Sequence, residues 1–255
     1  MTGKMEALRG RVAVVTGASR GIGCAVAERL AADGAAVVVN YSRSADVAHA
    51  VVRAIARRGG SALAVQADVG RLDDVRRLFR EAADAFGRLD ILVANAGRTV
   101  FKPLLDVADD ELDRLLEVNV KGTFHCLREA LRRMGDGGRT VCISTIGTVL
   151  NLPGGSCYFA SKAAIEQLCR VLAKEVASRG ITVNVVSPGF VETQMLEEAF
   201  ADMDPDARRR VVEMTPLGRL GRPEDIAELI AFLVGDAASW ITRQNLAVDG
   251  GIISR

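Results

Sequence analysis

Tyr158 and Lys162, in the run Tyr158-Phe159-Ala160-Ser161-Lys162, are a phenol and an ammonium four residues apart. If the run is helical, both side chains share one face. A fixed positive charge beside a phenol favours phenolate, so Lys162 is expected to pull Tyr158 below its ordinary value of about 10 and toward working pH. Such a pair suits general acid or base work on an alcohol or a ketone. Taken alone, the spacing equally describes an aromatic residue opening a helix with a solvated lysine one turn on. What separates the two readings lies elsewhere in the chain.

The elements that must position the pair are legible as an alternation. Short β-branched runs, beginning with Val12-Ala13-Val14-Val15, Val37-Val38-Val39, Leu63-Ala64-Val65 and Ile91-Leu92-Val93, continue with Thr140-Val141-Cys142-Ile143 and Thr182-Val183-Asn184-Val185-Val186. Near-continuous apolarity marks strands buried on both faces, as in a parallel sheet. Between them, residues 23–33, 46–58, 72–86, 109–134 and 158–178 carry helical periodicity, and Gly34, Gly59, Gly87, Gly135 and Gly180 stand where a left-handed cap is useful. Strand and helix repeated this way predict an α/β fold: a single-domain, Rossmann-type, doubly wound parallel sheet over 1–255, with helices on both faces and ligands beyond the carboxyl ends of the strands. The irregular stretch 189–221 is expected either to form a substrate lid or to be a plain surface excursion.

Directly after the first strand comes Thr16-Gly17-Ala18-Ser19-Arg20-Gly21-Ile22-Gly23. Its glycines allow a tight turn and let a pyrophosphate approach backbone N–H groups at a helix N-terminus, where the helix dipole favours negative charge. The spacing Gly-x-x-x-Gly-x-Gly departs from the general dinucleotide fingerprint Gly-x-Gly-x-x-Gly.

Composition narrows the classes further. With 255 residues, 49% apolar and 25% charged, the chain has globular composition and ample core material. A formal net charge of +1 gives no polyanion signal, and the clusters Arg53/Arg57/Arg58 and Arg208-Arg209-Arg210 read as solvated helix faces, so no nucleic-acid partner is expected. Cys24, Cys126, Cys142, Cys157 and Cys169 are odd in number and scattered, and His49 and His125 show no ligand spacing, so neither a disulfide framework nor a metal site is expected. The polar start, 1–10, lacks a signal-peptide core, and no apolar run is long enough for a membrane span; a cytoplasmic protein is expected.

Thr16-Gly17-x-x-x-Gly21-Ile22-Gly23, Asn95-Ala96-Gly97, Asn119, Tyr158-x-x-x-Lys162 and Pro188-Gly189 resemble, in order and separation, the motifs of the short-chain dehydrogenases/reductases. The similarity runs from about Leu8 to Gly251, and the tail from Arg222-Pro223-Glu224-Asp225 to Val248-Asp249-Gly250-Gly251 also looks like that family. The resemblance implies that Tyr158 exchanges a proton with the substrate oxygen while a nicotinamide exchanges hydride with the carbon. It implies that Lys162 lowers the Tyr158 pKa and holds the nicotinamide ribose, and that Asn119 holds a water linking the lysine to solvent. The family places a serine thirteen residues before the tyrosine; here that residue is Thr145, with Ser144 one earlier. Either hydroxyl has the needed donor, and the preference from sequence is for Ser144.

The same resemblance implies a cofactor site at Gly17, Ser19, Arg20, Gly21, Ile22 and Gly23, with Asp68-Val69 at the adenine and Asn95, Ala96 and Gly97 on the adenosine-ribose side. Pro188, Gly189, Val191 and Thr193 resemble the segment against the carboxamide. A carboxylate after the second strand would select NAD; Asn40-Tyr41-Ser42-Arg43 stands there, with Arg20 nearby, which favours the 2′-phosphate of NADP(H). The nearest likeness is to 3-oxoacyl-carrier-protein reductases, which implies reduction of a β-ketoacyl, polyketide-like or other ketone. The short Met134-Gly135-Asp136-Gly137-Gly138 replaces the basic residues that meet an acidic carrier protein, so a small-molecule carbonyl is the expected partner and carrier docking is doubtful. An NAD-dependent alcohol or sugar dehydrogenase and a non-catalytic NADP-binding regulator are the rival readings. A homotetramer is implied, pairing 109–134 and 158–178 across one interface and 240–252 across another.

Overall fold

The computed structural model describes residues 7–201 and 206–253. The first six residues of the polar start and residues 202–205 of the expected lid lie outside that range. Val12–Val15 (β1) is buried at every position and leads into Gly21–Ala32 (α1). The alternation continues with Ala36–Tyr41 (β2), Ala45–Arg57 (α2), Ser61–Gln66 (β3), Leu72–Phe86 (α3) and Ile91–Ala94 (β4). Then follow Asp109–Leu116 (α4), Thr123–Arg133 (α5), Arg139–Ile143 (β5), the short Gly147–Leu150 (α6) and the twenty-residue Ser156–Glu175 (α7). Thr182–Pro188 (β6), Gln194–Ala201 (α8), Ala207–Met214 (α9), Pro223–Val234 (α10) and Asn245–Val248 (β7) complete the order.

The seven strands form one parallel sheet in the order β3-β2-β1-β4-β5-β6-β7. Parallel strands need crossovers, and the helices that supply them cover both faces. On one face Val26 and Leu30 of α1 and Ile226 and Ile230 of α10 pack with Val15, Val37 and Val39. On the other, Leu78 and Phe79 of α3, Leu127 of α5 and Ile165 and Cys169 of α7 pack with Val14, Val38 and Leu92. Adjacent residues of β1 thus serve opposite layers, the period of two that a strand imposes. Because the chain turns one way from β1 to β2 and the other way to β4, a crevice opens beyond the carboxyl ends of β1 and β4.

Three expectations need correction. The helix expected over 109–134 is interrupted by a π-helical turn, Glu117–Gly122, which carries Asn119; such turns insert one extra residue per turn and recur at functional sites. Gly34, Gly59, Gly87 and Gly180 have positive φ as expected, but Gly135 does not: α5 ends in extended backbone at Met134. β7 adds a strand to those expected, because Asn245-Leu246-Ala247-Val248 is too short and too little β-branched to stand out in sequence.

The stretch 189–221 is tied at its base, where Val191 bridges Gly221 and the Glu192 N–H donates to the Gly221 carbonyl at 2.8 Å. Arg208 on α9 pairs with Glu192 and Glu197, joining the two helices above that base.

Candidate active site

The crevice is a cavity of about 620 Å3, the size of a small-molecule or cofactor site. Every site residue expected from sequence lines it except Asn119. Its floor is the turn after β1. Gly17 has φ +62 and Gly21 φ +55, left-handed values costly for other residues. A Cβ on Gly23 would fall 2.5 Å from both the Asn95 Nδ2 and the Gly17 carbonyl oxygen, and one on Gly17 would fall 2.9 Å from Ala96 Cα. Asn95 explains the closeness: its Nδ2 donates to the Thr16 and Gly17 carbonyls at 2.9 and 3.1 Å, stitching the end of β4 to the turn. The Thr16 hydroxyl oxygen accepts from the Asn95 and Ala96 N–H groups, both at 3.0 Å. α1 begins above this floor with no side-chain cap and no acidic residue in its first turn, so its unpaired N–H groups and dipole favour an anion there. Ser19 and Ile22 complete the rim of the turn.

At the outer end, Tyr41, Ser42 and Arg43 line the wall beside Arg20. Arg20 is engaged within the protein, its guanidinium bonded to Ser44 on one side and Gln194 on the other. Arg43 is exposed. Asn40 differs from expectation: it is 1% exposed, its Oδ1 accepts from the Gly17 N–H at 3.2 Å, and its Nδ2 reaches the Ala67 carbonyl at 3.1 Å. Its side chain shapes the cradle instead of facing a ligand. Asp68 accepts from the Gly70 N–H at 3.0 Å and from the Arg114 guanidinium. Those bonds hold its carboxyl below the ordinary value even though burial pushes the other way. Val69, Pro188, Gly189, Val191 and Thr193 line the remaining walls. Gly189 lies so close to the chain after β7 that a Cβ would fall 2.7 Å from Asp249 Cα.

At the inner end, α7 brings Tyr158 and Lys162 to one face, as the spacing required. The Lys162 Nζ, 4% exposed, donates to the Ile143 carbonyl at 2.9 Å and lies 5.9 Å from the Tyr158 ring centroid. A Cβ on Gly97 would stand 3.3 Å from that Nζ, so the glycine keeps the lysine accessible to the cavity. The charge argument is corrected here: burial pushes Tyr158 up to about 12 and Lys162 down to about 8. Removing water penalises the charged form of each group, which is the cause of both shifts. In the free protein Tyr158 is a protonated phenol at neutral pH. Among the described residues no protein group takes its hydroxyl.

Asn119 sits behind the cavity, fully buried. Its Oδ1 accepts from the Arg98 N–H at 2.8 Å, and its Nδ2 donates to the Arg98 carbonyl and the Ser161 hydroxyl at 3.0 and 2.9 Å. The π-turn is what carries this amide inward between β4 and α7. Ser144 and Thr145 both line the cavity, and their hydroxyls differ in partner. Ser144 is 3% exposed, and its hydroxyl donates to Glu166 Oε1 at 2.7 Å. The Thr145 Oγ1 accepts from the Gly147 N–H at 3.1 Å, which leaves its own proton to donate.

Sequence reading missed Glu166, Ser44, Gln194 and Arg114. Glu166 carried a usable signal, a carboxylate four residues beyond Lys162 on the face of α7 that must be buried. The other three depend on contacts between segments distant in sequence. The cavity lining is largely apolar, and includes Phe101, Leu152, Phe159 and Phe190 together with Met195 and Phe200 of α8 and Met214 of α9. Phe159 is fixed against Gly147 and Gly155, where a Cβ would fall 2.0 and 2.2 Å from its ring, and meets Phe101 edge-on at 6.0 Å.

A family model described as Enoyl-(Acyl carrier protein) reductase matches residues 17–253. A 3-oxoacyl-[acyl-carrier-protein] reductase of Synechocystis is 42% identical over 98% of this chain and 99% of its own. Versicolorin reductase 1 of Dothistroma septosporum is 40% identical over 96% of each chain. A short chain dehydrogenase of Burkholderia cenocepacia, solved in complex with NADP, superposes with a TM-score of 0.91 at 41% identity, covering 96% of this chain and 99% of that one. The parallel sheet, the glycine turn under α1 and the Tyr158/Lys162 pair on α7 agree with these likenesses along nearly the whole chain, and the protein belongs to the short-chain dehydrogenase/reductase family of oxidoreductases.

Proposed function

We propose that this protein reduces an apolar ketone to a secondary alcohol with NADPH, Tyr158 delivering the proton to the carbonyl oxygen. The observation that carries the reading is the convergence of the Tyr158 phenol, the Lys162 ammonium and the Thr145 hydroxyl on the inner end of a cavity whose floor is a glycine cradle. The cradle fits a dinucleotide: close backbone approach at Gly17 and Gly23 and the uncapped start of α1 suit a pyrophosphate. Arg20, Ser42, Ser44 and Arg43 would hold the 2′-phosphate, Asp68 and Val69 the adenine, and Pro188 to Thr193 the carboxamide. When bound, NADPH supplies the hydride taken up by the carbonyl carbon. Thr145 donates to the substrate oxygen and fixes it beside Tyr158, while the Lys162 ammonium favours the phenolate left behind. The Asn119 Oδ1 retains a lone pair for a water near Gly97 and Lys162.

Two features favour a free, apolar substrate over a carrier-bound or sugar-like one. The aromatic and methionine lining of the cavity has little to offer hydroxyl groups. Arg179, a basic residue packed against the short turn 134–138, is engaged by the Leu131 carbonyl at 3.0 Å, by the Met134 carbonyl and by Asp136. The homotetramer belongs to the same reading, since Leu116, Phe124 and Val171 are exposed on the helices implied to pair and Trp240 is 98% exposed in the C-terminal segment. The test is a panel of polycyclic, β-ketoacyl and sugar-like carbonyls followed by NADPH absorbance, with NADH in parallel. Selective turnover of apolar ketones with NADPH supports the reading; a preference for NADH, or cofactor binding without turnover of any carbonyl, overturns it.

Two variants sharpen the assignment. Arg43→Ala should raise the Kd for NADPH by about tenfold, the value of one charge-assisted bond, and leave NADH binding unchanged in a fluorescence titration. Thr145→Val should lower kcat by about 100-fold, as loss of one donor to a developing oxyanion does. A smaller effect in Thr145→Val than in Ser144→Ala would return the role to Ser144.

A further inference from the structure

Glu166 stands on α7 one turn beyond Lys162 and is 6% exposed, where an unpaired carboxylate is costly. Its Oε1 accepts from the Ser144 hydroxyl at 2.7 Å and lies 2.8 Å from the Thr148 hydroxyl, whose single proton is shared between Oε1 and the Thr145 carbonyl at 3.1 Å. The nearest charge is Arg170, whose Nη2 lies 3.8 Å from Oε2 on a side chain 47% exposed. The two hydroxyl donors flank the turn between β5 and α6, and Thr145 lies inside it. The same helix takes the Ile143 carbonyl through Lys162 at 2.9 Å. α7 therefore holds the end of β5 through Ile143, the turn after it through Ser144 and the start of α6 through Thr148, and two of these three contacts end on one carboxylate oxygen. An apolar residue of similar volume would fill the space without ordering either hydroxyl; the carboxylate makes the position of the turn depend on the helix that carries Tyr158.

We propose that Glu166 is a positioning residue for the ketone reduction proposed above: by clamping Ser144 and Thr148 to α7 it sets the distance between the Thr145 hydroxyl and Tyr158, so that one substrate oxygen meets both. Glu166 itself touches neither substrate nor cofactor, since it does not line the cavity. The proposal rests on the reading of the site as a ketone reductase, and it predicts a loss confined to turnover.

The experiment compares Glu166→Leu, Glu166→Gln and Thr148→Val in the full-length protein, measuring kcat with the best ketone of the panel and the Kd for NADPH by nucleotide fluorescence. Displacing the turn by about 1 Å costs on the order of 100-fold in rate, so Glu166→Leu should lower kcat by roughly 30- to 100-fold while the Kd for NADPH changes less than about twofold. The amide oxygen of Glu166→Gln can still accept from both hydroxyls and should restore kcat to within about fivefold of the unaltered protein. Thr148→Val should lower kcat by about fivefold alone and add nothing in the Glu166→Leu background, the signature of two residues acting through one turn. An unchanged kcat in Glu166→Leu, or a loss of NADPH affinity equal to the loss of kcat, overturns the proposal. Should Glu166→Leu fail to fold, an unchanged kcat in Thr148→Val overturns it. Tyr158→Phe separates the two layers: full activity in that variant removes the ketone-reduction reading and this proposal with it, whereas an inactive Tyr158→Phe beside a fully active Glu166→Leu removes only the role of Glu166.

Discussion

Replacing Tyr158 by phenylalanine lowers kcat for ketone reduction by about 1,000-fold, within the range of a lost general acid, and leaves the Kd for NADPH within about twofold. The ring stays, so the tilted contact with Phe159, 5.6 Å between centroids, is retained. Only the proton donor goes. Burial holds Tyr158 at about 12 in the free protein, so the phenol is protonated at neutral pH and its own titration should not limit reduction there. Steady-state kinetics against NADPH, together with a fluorescence titration of the cofactor, check both halves. Retained turnover in Tyr158→Phe would mean that another group, or solvent, supplies the proton.

Lys162→Met should be inactive and yet more stable than the unaltered protein. The folded lysine titrates at about 8, against an ordinary 10.5, because burial disfavours its charged form. At pH 7 the difference corresponds to on the order of 3 kcal/mol against folding, and loss of the bond to the Ile143 carbonyl returns about 1 kcal/mol of it. For a chain of this size the remaining 2 kcal/mol or so raises Tm by about 4–8 °C. The sign follows from proton binding: between pH 8 and 10.5 the unfolded chain binds more protons at this lysine than the folded one, so stability of the unaltered protein rises with pH across that window. The stabilisation seen in Lys162→Met should therefore be full below pH 8 and vanish by about 10.5. Melting curves at pH 7 and pH 10 test this, and an equal or lower Tm at pH 7 would show that the ammonium is better solvated or paired than the bond to Ile143 implies. The same titration gives kcat/KM a limb near pH 8 in the unaltered protein, since that ratio reports groups of the free enzyme.

The alternation of β-branched runs with amphipathic segments was sufficient for the parallel sheet and its two helical faces, because strands buried on both sides admit few polar residues and leave a plain pattern. β7 escaped because a four-residue edge strand is held by its pairing with β6, and that pairing is long-range. The π-turn at Glu117–Gly122 escaped because helical periodicity averages over several turns and does not register one extra residue. Lys162 opposite Tyr158 was legible, since i and i+4 share a face whatever the surroundings; the direction of the Tyr158 shift was not, because burial depends on everything packed over α7.

The motif residues Gly17, Gly21, Gly23, Tyr158 and Lys162 are local signatures, each belonging to a turn or a helix face that the chain forms from neighbours in sequence, whereas Asn95 and Asn119 are recognisable in sequence but held by residues distant from them. Sequence alone therefore determined the fold class, the glycine turn and the shared face of Tyr158 and Lys162. Which partner each of the two neighbouring hydroxyls takes was decided only by the tertiary structure. Ser144 and Thr145 differ by one step along a chain leaving β5, and their hydroxyls differ because Glu166, twenty-two residues beyond Ser144, takes the proton of the first while the second only accepts from the Gly147 N–H. A contact made across that separation has no trace in local spacing, and it is the packing of α7 against the end of β5 that turns two equivalent hydroxyls into one buried anchor and one available donor.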